Sequence, residues 1–104
     1  MIRHVVMLRL RADADVDELH AVMAGLDALR AQIDGFTGFS HGPNRDMELK
    51  SSAWPHGFIA DFADAAALAR YAADPGHRAL GARLVALCEG GGDGIMVYDL
   101  ETSA

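Results

Sequence analysis

Residues 2–11 alternate in character. Ile2, His4, Val6, Leu8 and Leu10 fall on one side of an extended chain, and Arg3, Val5, Met7, Arg9 and Arg11 on the other, the period of two that marks a strand. The first side is apolar apart from His4. Val5 and Met7 make the second partly apolar as well, so both faces of this strand are expected to meet a neighbour. The period then changes: Val16, Leu19, Val22, Met23, Leu26, Leu29 and Ile33 recur at the intervals of one helical face, behind an Asp15 that precedes Glu18 by three residues as a carboxylate form of the capping arrangement. Asp34-Gly35 closes this helix, because glycine takes the left-handed conformation cheaply.

Phe36 to Asn44, with Phe36, Phe39, several small breaks and Pro43, reads as a bent or bulged strand at a sheet edge. Arg45 to Ala53 is polar and without period, the pattern of a mobile loop. His56, Phe58, Ala60 and Phe62 alternate with Gly57, Ile59 and Asp61, giving a central strand whose expected neighbour is the first. Asp64 caps an alanine-rich helix that runs through Tyr71, and Asp74-Pro75 starts a new one, with Asp as cap and Pro at the first helical position. Leu80, Leu84, Leu87 and Cys88 form the stripe of that last helix. The glycines of Gly90 to Gly94 make a linker turn, since no strand leads into them and no Lys-Ser/Thr follows as a phosphate motif requires. Ile95 to Leu100 is the last strand, and Glu101 to Ala104 a tail.

The order β-α-β-β-α-β predicts a ferredoxin-like α+β fold: a four-stranded antiparallel sheet with its helices on one face. The other face is left uncovered. Val5, Met7 and Ile59, with Ile95 or Val97, are expected to line it, and an apolar sheet face of that kind is most simply covered by a second copy. A homodimer is the expected assembly.

Length and composition narrow the function classes. At 104 residues the chain holds one domain, 1–104, with a core of about 2–101, and 51% hydrophobic with 23% charged residues is enough for a real core. The single cysteine, Cys88, leaves no intrachain disulfide, and no stretch is apolar enough for export or membrane spanning, so a cytoplasmic location is expected. The net charge of −6 carries no basic stripe, which argues against nucleic acid and against an anionic membrane surface as partners.

Several pieces spread over almost the whole length, namely Ile2-Arg3-His4-Val5-Val6-Met7-Leu8, Gly42-Pro43-Asn44, Asp61-Phe62 and Leu68-x-x-Tyr71-x-x-x-Pro75-x-His77, together resemble the stress-responsive A/B barrel family. The resemblance implies protomers whose sheets face each other across a dimer to form a dimeric α+β barrel. Members of that family include boiling-stable plant stress proteins with no clear chemistry and olivetolic acid cyclase. Tyr71 and His77 are similar in placement to the cyclase's helical Tyr and the His six residues beyond it. That similarity implies His77 as general base for an intramolecular aldol condensation of a linear polyketide thioester, Tyr71 as its hydrogen-bonding partner, and His4 and His56 as pocket histidines. Asp74-Pro75 departs from the His-Pro usual in the family.

Read from the residues alone, His4 shares a strand face with Val6 and Leu8, and His56 shares one with Phe58 and Phe62. Both faces are expected to look at the helices that carry Tyr71 and His77. Titratable groups under an apolar roof are where proton transfer near neutrality is found. His77 as base and Tyr71 as donor suit enolate formation beside a carbonyl, with His4, His56 and Phe58 as substrate-binding positions. Each residue also has a structural reading, since a His near a helix start satisfies backbone groups and a Tyr fills a core. His20 and His41 are expected at the surface, and no i, i+4 pair of histidines suggests a metal site, so neither a metal nor a cofactor is expected. Cys88 reads as a core residue, and Trp54 before Pro55 as an anchor at a strand entry.

Three functions follow. The first is a small-molecule pocket between sheet and helices for an apolar carbonyl or aromatic metabolite, with polyketide cyclase-like aldol chemistry as its finer form. The second is a non-enzymatic structural or stress-related homodimer with a solid core. The third, a haem or oxygen enzyme, rests on fold alone, which cannot carry function.

Overall fold

The two periods of the sequence become two layers. The computed structural model describes residues 1–103; Ala104, part of the expected tail, lies outside the described residues. The elements run β1 (Ile2–Leu8), α1 (Val16–Ala28), β2 (Phe36–Pro43), β3 (His56–Phe62), α2 (Ala65–Ala73), α3 (Pro75–Leu87) and β4 (Ile95–Glu101), with short 3-10 turns at Leu29–Ala31 and Gly91–Gly94. The strands pair antiparallel in the order β2-β3-β1-β4. This is the ferredoxin-like α+β fold. β2 is an edge strand and carries the expected irregularity, a register shift between Phe36 and Gly38.

The core lies between one sheet face and the helices. Val6, Leu8, Phe58, Ala60 and Phe62 from the central strands are buried there against Leu19, Val22, Met23 and Leu26 of α1 and against Tyr71, Leu84 and Leu87 of α2 and α3. Asp15 caps α1 by accepting from the backbone N–H groups of Asp17 and Glu18, and Asp64 caps α2 by accepting from Ala67 N–H. The first helix ends at Ala28 and tightens into a 3-10 turn before Gly35, which has φ +85° and packs so closely on α2 that a Cβ there would lie 2.6 Å from that of Ala67.

Two expectations are corrected. The first strand ends at Leu8, not Arg11, because its partners begin and end there: Leu8 is opposite both His56 and Ile95. Beyond it Arg9 N–H donates to the Gly94 carbonyl and Leu10 makes an isolated bridge with Cys88. Ile95 and Val97 do not line the uncovered face. They stand opposite Leu8 and Val6 and therefore on the helix side, while Met96, Tyr98 and Leu100 join Val5, Met7 and Ile59 on the uncovered one. The loop between β2 and β3 is cross-tied. The Asp46 carboxylate accepts from the backbone of Lys50 and Ser51 and from the Ser51 hydroxyl, and the Asn44 amide donates to Ser51 and to the Trp54 carbonyl.

Candidate functional site

Asp74-Pro75 sets the site. Asp74 ends α2, its N–H donating to the Tyr71 carbonyl at 3.1 Å, and at the same time caps α3, its carboxylate accepting from His77 N–H at 3.0 Å. Pro75 supplies the first helical position without a surplus N–H. The chain therefore turns between two helices without unravelling, and the turn lays the His77 ring over the Tyr71 ring at a centroid distance of 4.0 Å and a tilt of 38°.

Tyr71 is 1% exposed. Its ring meets Phe62 at 4.9 Å, Phe36 at 5.2 Å and His4 at 5.8 Å. The hydroxyl is buried and has no hydrogen-bond partner within the chain. Burial pushes its pKa well up, so it is a neutral O–H donor at any physiological pH. An unpaired buried hydroxyl costs about 1–3 kcal/mol.

His77 is half-buried, and its Nδ1 likewise lacks a hydrogen bond of ordinary geometry. Burial, and then the nearby His4, pull its pKa down; the Ala72 carbonyl and Asp74 act the other way without reversing the shift. The imidazole is thus neutral near pH 7 and free to take a proton.

His4 reaches the same place from β1. Its Nδ1 lies 2.5 Å from Asp99 Oδ1 on β4, the strand position directly opposite. A carboxylate only accepts, so Nδ1 carries the proton of this contact. The His4 side chain is 14% exposed and that of Asp99 44%, so the pair runs from the interior to the rim of the sheet. Phe58 and Phe62 flank the His4 ring at 6.4 and 6.2 Å.

The structure thus places His4, Phe58, Tyr71 and His77 together. His56 stands apart. On β3 it lies four residues from Ala60, the register partner of His4, or about 13 Å along the strand, and its Nε2 faces Nδ1 of His41 at 3.4 Å. Asp99 was missed by sequence reasoning. Its signal was a single carboxylate inside an apolar strand, but only the register of β1 with β4 turns that into a partner for His4.

No group of three or more His, Cys, Asp or Glu side chains among the described residues is placed to hold a metal ion. No helix among them is long and apolar enough to cross a membrane. A hollow of about 260 Å³ lies on the uncovered sheet face, among Val5, Met7, Gly42, Gly57 and Ile59, and another beside Trp54 and Tyr98. Neither is lined by Tyr71 or His77.

Comparison with known proteins matches this geometry to others. A family model described as the stress responsive A/B barrel domain matches residues 2–102. A dimeric ferredoxin-like protein of unknown function from Jannaschia sp. CCS1 is 46% identical, with a TM-score of 0.92 over 97% of this chain and 98% of that one. The hydroxynitrile lyase of Passiflora edulis is similar in fold at 14% identity, with a TM-score of 0.80 over 99% of this chain and 94% of its own. SnoaB, a cofactor-independent oxygenase from Streptomyces nogalater, is similar at 19% identity, with a TM-score of 0.75 over 99% and 93%. No curated protein matches the chain.

Proposed function

The chain belongs to the stress-responsive A/B barrel domain family, and from that premise we propose that it is a homodimer whose protomers each bind a small apolar carbonyl or aromatic molecule at the His4–Tyr71–His77 cluster and move a proton there. The observation that carries the reading is the Tyr71 hydroxyl, buried without a partner beside a neutral His77. A carbonyl oxygen accepting from Tyr71 would satisfy that donor, and His77 would take the proton from the adjacent carbon, leaving an enolate held by the Tyr71 O–H. His4, held in place by Asp99, and Phe58 would form the wall against which the substrate lies. In the cyclase-like form of this chemistry the enolate carbon attacks a second carbonyl of the same molecule, the new C–C bond forming as that carbonyl becomes an alkoxide and takes up a proton.

The dimer is supported by the apolar character of the uncovered face and by the dimeric protein from Jannaschia sp. CCS1 at 46% identity. A second reading, a structural homodimer without chemistry, is favoured by the close aromatic packing around Tyr71, where Phe36 and Phe62 stack at 4.8 Å, and by hollows that lie elsewhere. One experiment separates the two. Aromatic acids, β-diketones and polyketide-like lactones are screened by thermal shift against the native protein and His77→Ala. A ligand at about 100 times its Kd adds roughly 2.7 kcal/mol, several degrees for a domain of this size. A shift in the native protein that disappears in His77→Ala is expected; no shift with any compound would leave the structural dimer as the function.

A further inference from the structure

The second histidine pair is unused by the chemistry above. His41 comes from edge strand β2 and His56 from β3, and the two stand diagonally across the ladder, His41 opposite Phe58 and His56 opposite Pro43. Their rings approach to 5.6 Å between centroids with a 41° tilt, and Nδ1 of His41 lies 3.4 Å from Nε2 of His56. As a hydrogen bond this is long, since N–H donors ordinarily reach acceptors at about 2.7–3.2 Å. As two corners of a tetrahedral ion it fits, because nitrogens each 2.0–2.1 Å from a zinc ion stand roughly 3.3–3.4 Å apart.

We propose that His41 and His56 form an open two-ligand site for a borderline divalent transition ion, Zn²⁺ or Ni²⁺, whose remaining positions are taken by water or by an exogenous anion. The chemistry of the donors supports the class: imidazole nitrogen suits zinc, copper and nickel, whereas Mg²⁺ and Ca²⁺ require oxygen. His41 is exposed and His56 half-buried, so an ion would have one preset ligand, one that can adjust, and a side open to solvent. The site is separate from the His4–Tyr71–His77 cluster and does not depend on the function proposed for it.

The test is calorimetric titration of tag-free protein with Zn²⁺ at pH 7.5 in a non-coordinating buffer. One ion per chain is expected. Loss of an outer-shell partner alone costs about 10–100-fold in metal affinity, so His41→Ala and His56→Ala should each weaken binding by roughly tenfold or more, while His77→Ala leaves it unchanged. His41→Ala removes an exposed ring and no core packing, which keeps that comparison meaningful even if His56→Ala folds poorly. Absence of binding at about 1 mM Zn²⁺, binding unchanged in His41→Ala, or binding abolished by His77→Ala would each overturn the assignment.

Discussion

The two faces of the sheet are built from the same strands, alternate residue by alternate residue, and they do opposite things. On the helix side β1 and β3 contribute Val6, Leu8, Phe58 and Phe62, all buried, and among them stand His4 and the unpaired Tyr71 hydroxyl. On the other side the same strands contribute Val5, Met7 and Ile59, joined by Met96, Tyr98 and Leu100 of β4, of which Tyr98 is 53% and Leu100 52% exposed. The covered face is apolar around His4 and the Tyr71 hydroxyl, and the uncovered face is apolar with Arg3, Ser40 and Asp61 set among its hydrocarbon side chains. The contrast teaches that burial alone does not mark function here. The proposed site adds to burial two unpaired polar atoms, the Tyr71 hydroxyl and His77 Nδ1, on neighbouring rings.

The largest test of that contrast is Phe62→Ala. Phe62 is fully buried, stacked on Phe36 and against Tyr71, and its loss is expected to cost about 3–5 kcal/mol in urea unfolding. Ile59→Asp should act differently: it places a charge on the uncovered face, so analytical ultracentrifugation is expected to show a shift from dimer to monomer with the circular dichroism spectrum preserved. A dimer that survives Ile59→Asp unchanged would remove the uncovered face as the interface.

Acid gives a smaller effect confined to the covered side. His77 and His56 have folded pKa values below the ordinary 6.5, so below that pH the unfolded chain binds protons that the folded one does not. Their contribution is fully present above pH 6.5 and is lost as pH falls through that value toward the folded pKa. Urea midpoints measured from pH 7.5 down to pH 5 should fall, and the slope should be shallower in His77→Ala. The smallest expected change is the most diagnostic. Tyr71→Phe removes the unpaired hydroxyl while keeping the ring, so stability is expected to hold or to rise by up to about 1 kcal/mol, while any ligand-dependent thermal shift is lost. A clear loss of stability would mean that the hydroxyl is structurally satisfied.

What could be read from the sequence was what is local. The helix caps, the Asp74-Pro75 turn, the edge position of Phe36–Pro43 and the ferredoxin-like order all depend on residues a few places apart, where propensity and capping speak directly. Tyr71 and His77, six residues apart across that turn, were legible for the same reason. The register of β4 was not. A shift of one residue exchanges the faces of a strand, and nothing near Ile95 fixes its alignment with Leu8. From this one missing quantity came both the misplacement of Ile95 and Val97 and the failure to pair Asp99 with His4. The approach of His41 to His56 was hidden in the same way, since it depends on a β2–β3 pairing that contains an irregularity.

That β1 and β4 are neighbours also sets a schedule for the protein's birth. β1 cannot complete its pairing until residues 95–101 have followed it, and the His4–Asp99 contact spans 95 residues of chain. During translation β1 can pair with β3, but its other edge stays open and the imidazole has no carboxylate to fix it. Contacts this distant slow folding and leave unpaired strand edges exposed while they wait. The His4–Asp99 contact therefore forms only after β4 has been made and paired.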